Sequence, residues 1–180
     1  MTSAISLTQT QIFTGLVAVL GTMGMVDGNA SPIPIIRGQV NRVPEPNGTD
    51  FVVLWPVTRE RMNMNVDTWQ IVEAPTMVDA MQSTQVTIQA DIHGPVSADN
   101  AAKLSTLFRD QFGVSSFQDQ GFDLAPLYTS DPRQMPFDNG EQQVEERWTI
   151  DLTMQANVTI STAMQFADQL VTGFEIADIL

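Results

Sequence analysis

The chain has no cysteine, one histidine (His93) and one lysine (Lys103) in 180 residues. Each shortage removes a class of function. Without cysteine there is no disulfide framework, no thiolate-held zinc and no Cys nucleophile. One histidine cannot supply the several imidazoles that a zinc site of the remaining type needs. Eight basic residues stand against 21 acidic ones, a formal net charge of −13. Nucleic-acid binders neutralise phosphates with basic stripes, and so acidic a surface repels DNA instead. Long hydrophobic runs are also scarce. The longest candidate, Ile12 to Val26, is broken by Gly15, Gly21 and Gly24 and is too short to span a bilayer. The segment before it, "MTSAISLTQTQ", lacks the Lys or Arg that a secretion signal carries at its start.

Familiar catalytic signatures are missing as well. There is no G-x-S-x-G elbow and no G-x-x-x-x-G-K-[ST] phosphate loop, and the glycines at 21 and 24 follow no strand. "DNGE" (138–141) lacks the spacing of a calcium loop and reads as a turn. The N-x-[ST] triplets at Asn29, Asn47 and Asn157 matter only in a secreted eukaryotic protein, and Asn157 sits within strand pattern. Acidic residues are abundant, but abundance does not single out a paired-carboxylate site. No enzyme, metal or cofactor is expected.

What is present is a globular composition, 43% hydrophobic and 16% charged, in a length that suits one domain over residues 1–180. Ser6 with Gln9 makes a capping-box pattern before an amphipathic helix through Ile12, Phe13, Leu16, Val17 and Leu20, ending near Gly21. The Pro, Gly and Asn of 29–50 suggest extended chain and turns. "FVVLWPVT" predicts a buried strand. "RERMNMNV" alternates, which predicts a half-buried strand with Met62, Met64 and Val66 inward.

In "TQVTIQADIHGPVSADNAAKLSTLFRD" (84–110), Val86, Ile88, Ala90 and Ile92 share one strand face. Thr87, Gln89, Asp91 and His93 share the other, expected to be wetted or partner-facing. Ser97 is the expected N-cap of a helix whose buried stripe is Ala101, Leu104, Leu107 and Phe108, with Asp99 in its first turn. Residues 113–146 are expected as one long loop, a partner surface by its length. "RWTIDLTMQANVTI" alternates from Trp148 to Ile160 and is the clearest strand. Residues 161–180 form a C-terminal arm, helical or extended. The pattern predicts an α+β fold: a mostly antiparallel sheet of four or more strands with two helices packed on one face.

Several stretches together resemble the tail-terminator or neck-terminator family of tailed bacteriophages. They are "PEPNGTDFVVLWPVTRERMNMN", "STQVTIQADIHGPVSADNAAKLSTLFRD", "APLYTSDPRQMPFDNGEQQVEERWTIDLTMQANVTIS" and "QFADQL", spanning about residues 35–172. The ordered motifs "HGP", "DPRQ" and "ERW" carry most of the likeness. The resemblance implies a small α+β protein of the virion, assembled in the host cytoplasm. It implies a cyclic homo-oligomer, typically a hexamer, that caps the tail tube. The ring joins the tube to a stopper or adaptor of the neck, and meets a sheath protein where the tail contracts. Genomic DNA would pass through without specific binding, and no membrane is involved. An acidic channel wall suits that passage. Asp91 and Asp151 are its candidate lumen-facing residues. Asp131, Arg133, Phe137, Glu141 and Arg147 are candidate subunit or partner contacts. The rival readings are another neck component, such as a stopper or head-completion protein, and more distantly a secreted bacterial binding module.

Overall fold

The computed structural model describes residues 3–38, 46, 48–70, 77–138 and 144–163. In chain order the elements begin with β1 (Ala4–Ile5), α1 (Gln9–Thr22), β2 (Ile35–Arg37), β3 (Phe51–Arg61), β4 (Val66–Gln70) and β5 (Met77–His93). There follow α2 (Ser97–Leu107), α3 (Gln111–Asp119), β6 (Leu124–Thr129), β7 (Arg133–Gln134), β8 (Phe137–Asp138), β9 (Val144–Glu145) and β10 (Arg147–Ala163).

Sustained alternation makes strands, and the two longest are β5 and β10, 17 residues each. They pair antiparallel without a slip, from Arg147 opposite His93 to Ala163 opposite Met77. Every other strand of the main sheet is laid on this ribbon. One flank of β5 takes β3 and then β4, and one flank of β10 takes β7, β6 and β1 in turn. β2 adds to β3, and that pair alone is parallel. The result is an eight-stranded, curled, half-barrel sheet, beside which β8 and β9 form a separate two-stranded ladder.

The core lies on one face of this sheet. Val86, Ile88, Ala90 and Ile92 of β5 join Ile150, Leu152, Met154 and Ala156 of β10. Ile12, Leu16 and Leu20 of α1, Leu104 of α2 and Phe117 of α3 close over them. The α+β expectation is met, with three helices on that face rather than two. The third emerges from the stretch 113–146, which is not one loop: it holds most of α3, all of β6 and β7, and the short β8 and β9. α3 is concealed in sequence because Gly113 takes a position where bulk is excluded. A Cβ there would lie 2.6 Å from the backbone oxygens of Leu107 and Phe108. Its stripe is completed by Ser116 and Phe117 rather than by a run of aliphatics. Pro126 is tolerated in β6 because that strand pairs only with β10, and the register shifts beside it between Thr153 and Met154.

Helix starts also differ from expectation. The capping box of α1 is Thr8 with Gln11, since Ser6 is committed to the sheet. The Ser6 N–H donates to the Thr159 carbonyl at 2.9 Å, and its Oγ accepts from the Thr159 N–H at 2.9 Å. Ser97 is the first residue of α2 and is buried, with Val96 at the cap position and no side-chain cap bond. The turn does that work: the Ser97 N–H donates to the Gly94 carbonyl at 3.0 Å, leading the chain directly into the helix. No described helix is long and apolar enough to cross a membrane.

The Met62–Met64–Val66 alternation does not mark a buried face. β3 ends at Arg61 opposite Thr84 and β4 resumes at Val66 opposite Met81. Residues 62–65 therefore face only two residues of β5 and bulge from the ladder. Met64 is 85% exposed. The alternation is genuine, but none of the described helices buries these side chains.

Candidate functional site

The face of β5 and β10 opposite the helices carries the polar residues singled out in sequence. Pairing sets Asp91 opposite Thr149, Gln89 opposite Asp151, and His93 opposite Arg147. β7 then brings Arg133 beside Thr149. The sheet thus gathers Asp91, Arg133, Arg147 and Asp151 into one strip, although 60 residues separate Asp91 from Asp151 in the chain.

Two positions in the strip overturn the expectation of a wetted surface. Asp91 is 5% exposed and His93 6%. Burying a carboxylate is costly unless its lone pairs are used. Here the Thr149 hydroxyl donates to Asp91 Oδ1 at 2.8 Å, and Gln89 Nε2 donates to the same oxygen at 2.8 Å. Arg147 Nη1 lies 3.9 Å from the other carboxylate oxygen, a long ion pair. His93 stacks on Phe51, with ring centroids 4.4 Å apart and planes 9° from parallel. Thr149 is itself buried, 1% exposed, so its hydroxyl is out of reach of any substrate in solution. The Asp91 to His93 stretch is a packed joint between β3, β5 and β10.

Asp151 is different, with its side chain 30% exposed. Its Oδ2 accepts from Arg133 Nη2 at 2.8 Å. Its backbone N–H donates to Ser130 Oγ at 2.9 Å, and its carbonyl accepts from the Ser130 N–H at 2.9 Å. Arg133 is more than half exposed, so the pair contributes no more than about 1 kcal/mol. Its use is to hold the start of β7 against β10.

The proposed contact residues divide. Asp131 and Arg133 are exposed. Arg147 is turned inward: its Nε donates to the Met135 carbonyl at 3.1 Å, and the Met135 N–H donates back to the Arg147 carbonyl at 2.9 Å. Phe137 opens β8, and Glu141 lies outside the described residues. Residues 164–180 of the expected C-terminal arm also lie outside them, and 161–163 belong to β10. Among the described residues no three His, Asp or Glu side chains come together as a metal site would require.

Sequence reasoning missed a surface on the far half of the sheet. Every residue from Val57 to Gln70 is exposed, Val57, Met62, Met64, Val66 and Trp69 among them. The signal was the methionine alternation itself, read as core.

Among the described residues the strip brings together no catalytic constellation, and long stretches of the sheet edges are unpaired. The profile of one protein family, described as phage neck terminator protein, matches residues 10–178. The chain belongs to that family. The match runs from the first turn of α1 to beyond β10, past both limits of the sequence resemblance, about residues 35 and 172. A search of curated proteins found no match. A neck terminator is a structural protein of the virion at the head–tail junction, where it meets tail and neck proteins, and the family is not an enzymatic one.

Proposed function

We propose that this neck terminator forms a closed ring, six copies around, which caps the tail tube and couples it to the stopper or adaptor of the neck. A sheath protein adds to its contacts where the tail is contractile. DNA passes through the centre without being held. The observation that carries this reading is the family match across nearly the whole chain. The net charge of −13 supports it, because a channel lined by acid gives phosphates nothing to bind. Identical subunits meeting head to tail must either close or polymerise, and closure gives a ring.

Within the polar strip, Asp151 is the residue that lines the channel, with Arg133 and Asp131 beside it toward a neighbouring subunit or neck partner. Asp91 supports the strip from inside the fold. Asp151→Lys places one added ammonium per subunit around the wall, where each meets passing phosphates, and the attraction weakens with salt. Particles carrying Asp151→Lys are expected to assemble and to eject DNA more slowly at low ionic strength, recovering as salt rises. Single-particle ejection assays read this directly. Ejection at the wild-type rate at every salt concentration removes Asp151 from the channel. Asp91→Lys is no substitute probe, since it would bury the ammonium within the fold.

A further inference from the structure

Among the described residues, the flank of β5 that carries β3 and β4 is an unpaired edge over most of its length. Of the described strands, β2 covers β3 at Val52 to Leu54, and β4 pairs with β5 alone. From Val57 to Gln70 the chain presents an exposed strand edge, and Val57, Met62, Met64, Val66 and Trp69 are each about half exposed or more. A long edge of this kind is a template for pairing with another chain unless something covers it. Arg59 and Arg61 sit in the same stretch, on one face of β3; Arg59 Nη2 donates to Gln9 Oε1 at 2.9 Å, and the described residues place no carboxylate within ion-pair distance of either arginine. In a chain of net charge −13, two such cations beside an apolar edge point to an acidic partner.

The opposite edge of the same sheet supplies one. Pairing runs in a row from Arg61 through Thr84 and Ala156 to Leu124, and in the next row from Arg59 through Val86 and Met154 to Pro126. The β3 arginines and the start of β6 therefore lie at the same level on opposite flanks. The outer edge of β6 is unpaired too among the described residues, where its partner is β10 alone. Asp119 and Asp123 precede it and are exposed, and Tyr128 at its far end is 47% exposed. One flank sets Arg59 and Arg61 on one face of β3 beside apolar side chains, with Glu60 on the other face and Asp67 farther along in β4; the other flank carries two aspartates and an aromatic.

We infer that the Val57–Gln70 edge is the subunit contact of the ring, seated on the β6 flank of a second copy of this chain. The contact is head to tail, with Arg59 and Arg61 of one copy facing Asp119 and Asp123 of the next. It deepens the ring reading and rests on it. Because both flanks belong to one sheet, each subunit is committed to the same angle, as closure requires.

The test uses the full chain, followed by mass photometry and negative-stain imaging, with thermal melts as the control for folding. All the substituted side chains are exposed, so the melts are expected to stay close to wild type. Arg59→Glu with Arg61→Glu is expected to raise the concentration needed for rings by about tenfold or more, as like charges meet across each contact. Met64→Glu is expected to weaken rings independently. Adding Asp119→Arg and Asp123→Arg to the arginine reversal is expected to restore them. Rings indifferent to both the reversal and Met64→Glu overturn the assignment while leaving the ring intact. Dissociation that the charge swap leaves unrepaired overturns the β6 flank as occupant. Normal rings that no longer join tails hand the edge to a tail or neck protein instead. A wild-type chain that is monomeric both alone and with tail tubes overturns the ring reading itself.

Discussion

Leu152→Asp is expected to leave no folded protein at room temperature. Leu152 is fully buried on the helix side of β10, opposite Ile88 of β5. Removing its side chain from a packed core costs about 2–5 kcal/mol. The introduced carboxylate adds several more, because the apolar face offers no hydrogen-bond donor to compensate its desolvation. A total above about 5 kcal/mol is comparable with the whole stability of an ordinary domain. Asp151→Ala, one residue away, acts on the other face. It loses an ion pair to a half-exposed arginine and is expected to cost no more than about 1 kcal/mol. Thermal melts of the two variants measure the contrast. Equal losses would mean that the faces of β10 are wrongly assigned.

Gly94→Ala is the second large effect. Gly94 ends β5 with φ +105°, a conformation that side chains disfavour. An added Cβ would run into the Asp50 carboxylate and lie 2.8 Å from the Thr49 carbonyl. The same residue ties three elements together. Its N–H donates to the Glu146 carbonyl at 3.0 Å, and its carbonyl starts the turn into α2. Strain and collision together are expected to cost about 3 kcal/mol. In a chain of this size that lowers Tm by roughly 10 °C. Gly21→Ala is the control: it lies in α1 with nothing within 4 Å of the added methyl, and is expected to gain about 0.5–1 kcal/mol. A Gly94→Ala melt unchanged from wild type would contradict the tight turn.

The central ribbon was legible in sequence because its two faces see different surroundings. From Val86 to Ile92 and from Ile150 to Val158, every second side chain meets helices, and selection for burial writes a period of two. The rest depends on contacts distant in sequence. Asp91 follows the polar parity of its strand, and Thr149 and Arg147, more than 50 residues away, join Gln89 in holding its carboxylate inside the fold. α3 is hidden because close packing against Leu107 and Phe108 demands glycine where a hydrophobic residue would have marked the stripe. β1, β2, β7, β8 and β9 are two or three residues long, too short for periodicity to register. The methionine alternation misled in the opposite direction. It describes an apolar edge faithfully but not what covers it, and what covers it lies outside the chain if the ring account holds. The family, by contrast, was legible from ordered motifs before any geometry, since "HGP" and "ERW" sit at the turn and strand start that Gly94 and Arg147 organise.

Negative-stain images of the purified chain, alone and mixed with tail tubes, test the central claim most directly. The account predicts closed rings of about tail-tube width, seated on one end of each tube. Isolated particles that leave both ends of every tube bare would contradict it.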